Sequence, residues 1–327
     1  MPRFPIRLAV LATAFVLLSG CAGDPAGTSR PADTGTHPVV TGAQARIVLD
    51  EVAAAVDEVA AGTVPPTDSP RVVGPVRAQF AAQLRVPARL RAVPVGAQTW
   101  QRVLVPSSSG WPRWFVAVGS TPKRSTPVVS VLRSTAAQDP YGLWAQLILL
   151  PGQALPEVAP AGEGAQELAG DATGLMLTPE EVATRYADLL TRGSHSASAA
   201  LFAPDLLRTQ VTAQVVADRK ELDGLATVTV THRASGGPVL ALGTSDGGAL
   251  VVAELTETYR LEKEAAADKL GIGDPALAAL AGRSSFGTEV VRTSQELVAF
   301  VIPPDSVAHG QIRVVAAGKV DVAVRGR

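Results

Sequence analysis

The sequence predicts an α+β protein of two modules, each a pair of helices followed by an antiparallel sheet, carried behind a signal peptide and a flexible tether. Three observations lead there. Apolar residues recur at three- and four-residue steps at the start of each half, as on one face of a helix. After each helical stretch the period changes to two, the signature of strands. Between the halves, residues 151–174 fill with Pro, Gly, Ala and Glu and read as a linker. Helices followed by runs of strands argue for α+β and against alternating βαβ units.

The chain opens with Arg3 and Arg7, then an apolar run over residues 8–18, then Ser19-Gly20-Cys21. A basic start and an apolar stretch of about 7–15 residues fit a signal peptide. The run falls short of the ~20 apolar residues that span a bilayer. Small residues before a cysteine resemble the lipobox of bacterial lipoproteins. That resemblance implies a diacylglyceryl group on Cys21, cleavage after residue 20, and a mature chain held on the extracytoplasmic face of the cell membrane. Cys21 is the single cysteine among 327 residues, so it has no disulfide partner. Residues 22–41 are rich in Gly, Pro, Thr, Ser and Ala, and too polar to offset their ordering entropy, so they read as a tether.

The first module is expected over residues 42–150. Ile47, Val48, Val52, Val56 and Val59 mark a helix over 42–61, ended by Gly62 and the Pro65-Pro66 pair. Val76, Phe80 and Leu84 mark a second, stopped by Pro87. Strands are expected at 101–105, 114–118, 128–132 and 143–150, with turns at 107–110 and 138–142. All four tryptophans lie here: Trp114 and Trp144 fall within strands and read as core, and Trp111, beside Pro112 in a turn, is the better surface candidate, with core or rim packing the favoured role.

The second module is expected over 175–327. Thr178-Pro179-Glu180-Glu181 has the form of a capping box with proline at the first helical position, and Val182, Tyr186, Leu189 and Leu190 form the apolar stripe. A further helix is expected over 204–222, then strands at 225–234, 239–243, 249–261, 286–302 and 311–325. Residues 262–282 are helical in composition, with Asp274 as a cap, and read as a crossover shielding the sheet or a mobile element beside a site.

The order of helices and strands is similar to that of cone-shaped NTF2-like or cystatin-like domains. The helix bearing Tyr186-Ala187-Asp188-Leu189-Leu190 and the following Ala199-Ala200-Leu201-Phe202, together with the lipobox and tether, resemble actinobacterial cell-envelope lipoproteins of unknown function. Neither resemblance implies catalytic residues.

Chemistry-bearing motifs are few. Gly243-Thr244-Ser245-Asp246-Gly247 matches the G-x-S-x-G pattern of a serine-hydrolase elbow, which needs a strand turning into a helix. Here an apolar, strand-like run follows, so Ser245 and the Asp246-Gly247 pair read as a hairpin loop. A triad in hydrolase order needs His309, the only histidine downstream. His37, His195, His232 and His309 are scattered without metal-ligand spacing, and no phosphate-binding glycine loop occurs. No cofactor is implied. A net charge of −1 provides no basic footprint for nucleic acid.

Alternation in 225–234 puts His232 on a face with Val228 and Val230, and alternation in 249–261 puts Glu257 on a face with Val251, Leu255 and Tyr259. A histidine and a carboxylate thus share the face assigned to the helices. They solvate at strand ends, pair with each other, or line a polar pocket. The expected function is that of a membrane-anchored, non-enzymatic binding or interaction module of the envelope, with a protein or small ligand as partner and His232 and Glu257 as candidate ligand-binding residues. The alternatives are a hydrolase of an envelope ester using Ser245 and a structural spacer.

Overall fold

Residues 114–118 and 249–253 are buried at every position, so both faces of these strands need cover, and that requirement sets the architecture. The computed structural model describes residues 35–94, 96, 99–121 and 124–327. The expected signal peptide, Cys21 and most of the tether lie outside them.

The first half carries β1 (His37–Pro38), α1 (Gly42–Ala61), α2 (Gly74–Gln83), β2 (Thr99–Leu104), β3 (Pro106–Ser108), β4 (Arg113–Thr121), β5 (Arg124–Ser134) and β6 (Gly142–Leu149). Then follow β7 (Ala165–Leu168), α3 (Pro179–Arg192), α4 (Leu206–Glu221), β8 (Ala226–Ala234), β9 (Leu240–Gly243) and β10 (Ala249–Lys263). The chain finishes through β11 (Leu270–Gly271), α5 (Pro275–Ala281), β12 (Ser285–Phe286), β13 (Glu289–Ile302) and β14 (Arg313–Gly326).

Two separate modules are not what forms. Among the described residues twelve strands join one sheet in the order β1-β3-β7-β9-β10-β13-β14-β6-β5-β4-β2, with β8 also on β10. The halves meet where β14 pairs β6, Ala316 opposite Leu149 and Ala317 opposite Ile148. The sheet is mixed because β3 and β7 run parallel. One edge of β10 serves two partners: β9 along residues 249–252 and β8 along 255–263.

The reason for one body lies in the doubly apolar strands. Trp114, Val116, Val129, Val131 and Leu147 pack against Leu250, Val252, Leu297 and Val315 in a single core between the two parts of the sheet. On the far side of β4–β6, Phe115, Leu132 and Leu143 are covered by Leu49, Val52 and Val56 of α1 and by Val76 and Phe80 of α2. On the far side of β10 and β13, Val251, Leu255 and Phe300 are covered by Val182, Tyr186 and Leu189 of α3. The helices-then-strands order therefore holds in each half, but the strands share a core. Residues 36–327 form one compact unit.

Local differences follow from the same packing. Residues 36–41, at the end of the stretch read as tether, include β1 on β3, buried Val39 and Val40, and Thr41, whose side chain caps α1. Within 151–174, β7 lies between β3 and β9. The stripe of α1 runs through Ala45, Leu49, Val52, Val56 and Val59, leaving Ile47 60% exposed. Residues 262–282 contain helix only at α5, where Asp274 accepts from the amides of Ala276 and Leu277. Its first residues extend β10 instead, because Leu261 and Glu262 find ladder partners on both β8 and β13. Trp114 and Trp144 are core and Trp111 is exposed, as their sequence positions suggest.

Candidate functional site

In β8 the burial alternates without a break from Ala226 to Arg233, and His232 falls on the inner face with Val228 and Val230. Thr191 of α3 fixes its backbone: the hydroxyl accepts from the His232 amide at 2.7 Å and donates to its carbonyl at 3.3 Å. Across the ladder, His232 stands opposite Glu257 of β10. Glu257 in turn stands opposite Ser294 of β13, and Leu255 opposite Glu296. On β14, Lys319 is opposite Glu296 and Asp321 opposite Ser294, where a bulge adjusts the register. Paired residues of an antiparallel ladder project to one side, so a polar strip crosses four strands beside the apolar face under α3.

The strip is buried at one end and open at the other. Side-chain exposure is 0% for His232, 3% for Glu257 and 1% for Glu296, but 33% for Lys319. His232 Nε2 lies 3.3 Å from Glu257 Oε2 and 3.6 Å from Glu296 Oε2. The two Glu257 oxygens divide their partners. Oε1 accepts from Arg292 at 2.9 Å and lies 3.4 Å from the Ser294 hydroxyl, which donates its one proton to Asp321 at 2.6 Å, while Lys319 Nζ donates to Oε2. Lys319 Nζ is also 3.7 Å from Glu296 Oε1. Arg292 lies over the Tyr259 ring at 4.6 Å, and Tyr259 donates to Asp218 of α4 at 2.9 Å, which ties the strip to that helix.

Burial of charge is costly without partners, and the strip meets that cost unevenly. Glu257 is amply paired. Burial pushes its carboxyl up, but His232, Lys319 and Arg292 together hold it well below the usual carboxylate range. Burial pushes the His232 imidazole down, yet the carboxylates of Glu257 and Glu296 outweigh it and raise its pKa above the ordinary value. Neither ring nitrogen of His232 and neither oxygen of Glu296 has an aligned hydrogen-bond partner among the described residues. The unmet hydrogen-bonding capacity therefore concentrates where the histidine and two glutamates converge.

Of the three readings of His232 and Glu257, solvation at strand ends is removed: both are buried, and they meet. Sequence reasoning missed Glu296, Lys319, Arg292, Ser294 and Asp321. A signal for some was present in composition alone: Arg292-Thr293-Ser294-Gln295-Glu296 is an unbroken polar run inside a long strand with apolar residues on both sides, which marks the segment but not the face. His232, Glu257 and Glu296 place one ligand atom each within 4.8 Å of one another, an arrangement able to hold a metal ion that no sequence spacing announces.

Ser245 lies elsewhere. It sits in the turn between antiparallel β9 and β10, with Gly247 at φ 83°, and its amide donates to the Glu157 carbonyl. No helix follows it, so the elbow geometry that exposes a nucleophile is absent at this turn.

No helix among the described residues is long and apolar enough to cross a membrane. The chain is 29% identical over 184 residues to an uncharacterized lipoprotein of Streptomyces avermitilis, an alignment covering 54% of this chain and 52% of that protein. It thus spans about half the length of that relative. No solved structure matches, and nothing in that comparison supports the likeness to NTF2-like or cystatin-like domains. The domain of unknown function DUF8094 matches residues 36–319, nearly the whole described body including every residue of the strip except Asp321, and the chain belongs to that family.

Proposed function

We propose that this protein is a lipoprotein held on the extracytoplasmic face of the cell membrane by a diacylglyceryl group on Cys21, and that its β-rich body binds an envelope ligand through the His232–Glu257 strip. The lipobox-like order of residues 3–21 and the lipoprotein relative support the anchor. One observation carries the binding reading: His232 and Glu296 are buried and face each other with their hydrogen-bonding capacity unmet. A purely structural ion cluster gains most from full satisfaction. The hairpin context of Ser245 favours binding over hydrolysis.

The anchor is tested by Cys21→Ser with palmitate labelling and membrane fractionation. Each buried methylene contributes about 0.8 kcal/mol and stable anchoring takes two chains, so the variant is expected in the soluble fraction or with its leader uncleaved. A variant that is processed and still firmly membrane-bound rejects the anchor. Binding is tested by thermal stabilisation against envelope metabolites, with His232→Asn and Glu257→Gln as controls. Stabilisation lost in both variants supports the strip as the site, and stabilisation unchanged in both rejects it.

A further inference from the structure

The geometry assigns His232, Glu257 and Glu296 as a binding site for a first-row divalent cation such as zinc. This inference rests on the reading of the strip as a ligand site and names the class of ligand. Three features of the cluster carry it.

The first is spacing. Two ligand atoms about 2.1 Å from one ion at a tetrahedral angle lie about 3.4 Å apart. His232 Nε2 stands 3.3 Å from Glu257 Oε2 and 3.6 Å from Glu296 Oε2, close to that edge length on both sides. The same separations are poor as hydrogen bonds, and neither ring nitrogen is aligned for one. The second is donor chemistry. One imidazole and two carboxylates suit zinc and its first-row neighbours, which accept nitrogen with oxygen, whereas calcium and magnesium prefer oxygen alone. Three protein ligands leave a coordination position for water or an exogenous group. The third is outer support. Glu257 engages Arg292 through Oε1, which turns Oε2 toward the histidine. Thr191 clamps the His232 backbone, so the ligand-bearing strands are held before any ion arrives.

Lys319 is the element that regulates this site. Its ammonium contacts Glu257 Oε2 and approaches Glu296 Oε1, the two carboxylates the cation uses. Binding therefore displaces Nζ along a flexible stem toward the solvent, where a third of the side chain already lies. The ammonium and the cation compete for one pair of carboxylates, and removal of the lysine charge strengthens metal binding.

The test uses the purified full-length protein in detergent, treated with chelator and titrated with ZnCl2 by calorimetry and with CoCl2 by visible absorption. One equivalent is expected to bind, with cobalt bands of four- or five-coordinate intensity. His232→Gln and Glu296→Gln are expected to weaken zinc binding about tenfold or more, and Lys319→Met to tighten it, with circular dichroism confirming that each variant is folded. Lys319→Met keeps all three ligands, so it remains informative if a ligand variant fails to fold. No stoichiometric binding by either the wild type or Lys319→Met overturns the assignment, as does binding indifferent to His232→Gln and Glu296→Gln. If zinc fails while an organic envelope ligand still stabilises the protein through His232 and Glu257, the metal inference alone is lost. If neither binds, the ligand-site reading falls with it.

Discussion

Trp114 donates its indole N–H to the carboxylate of Glu167 at 2.6 Å, joining β4 of the first half to β7, a strand in the stretch that composition marks as a linker. The ring is 1% exposed and belongs to the core between the two parts of the sheet. This hydrogen bond links the first half to the connecting segment, whose β7 pairs with β9 of the second half.

Glu167→Ala leaves that indole N–H buried and unpaired, a loss of about 1–3 kcal/mol. Urea unfolding is expected to show it as a lowered midpoint. Because all four tryptophans lie in the first half, fluorescence follows that half while far-ultraviolet circular dichroism follows the whole. The two signals are expected to coincide in wild type and variant. Loss of fluorescence well before circular dichroism contradicts a shared core.

The three tyrosines are all held protonated. Burial pushes Tyr141 up to about 12, with Arg113 opposing. Burial and then Asp205 push Tyr186 far higher, and burial with Asp218 raises Tyr259. An unfolded tyrosine titrates near 10, so the folded pKa values lie above the unfolded ones. Their contribution to stability is complete below about pH 10 and is lost as pH rises above it. Absorbance at 295 nm is expected to show little phenolate at about pH 10 while circular dichroism remains native, then to rise together with unfolding. Three phenolates forming near pH 10 in a native spectrum contradict this.

Ser245→Ala changes a turn side chain away from the core, and surface substitutions of this kind stay within about 0.5 kcal/mol. Its thermal midpoint is expected to match that of the wild type, and a fluorophosphonate probe to leave Ser245 unlabelled. Covalent labelling there makes the residue a nucleophile and reopens the hydrolase reading.

Local signals were legible wherever a short stretch carries its own geometry. The apolar steps of 42–61 and the glycine at 62 delimit α1, and Gly62 adopts φ 80°. Glu181 accepts from both the amide and hydroxyl of Thr178, the reach-back half of the capping box. Asp246-Gly247 forms the hairpin, and alternation along β8 and along residues 253–257 of β10 puts His232 and Glu257 on one inner face. Each depends on neighbours a few residues away, and sequence spacing reports those directly.

The joining of the strands was decided by tertiary structure. The consecutive apolar residues of 114–118 and 249–253 state that both faces need cover, but any apolar surface meets that need. Packing chose Leu250 and Leu297 as the cover for Trp114 and Val116, and so merged two expected sheets into one. The candidate site has the same origin. Glu257 and Glu296 meet because β10 and β13 pair in one register, and a slip of one residue turns Glu296 to the opposite face. Lys319 stands opposite Glu296 because β14 pairs β13 in the register that holds between the irregularities at Thr293/Ser294 and Ala299/Phe300. Sequence determined which way each side chain points from its own strand. Register between distant strands determined which charges share the interior, because pairing energy depends on contacts the local sequence does not contain.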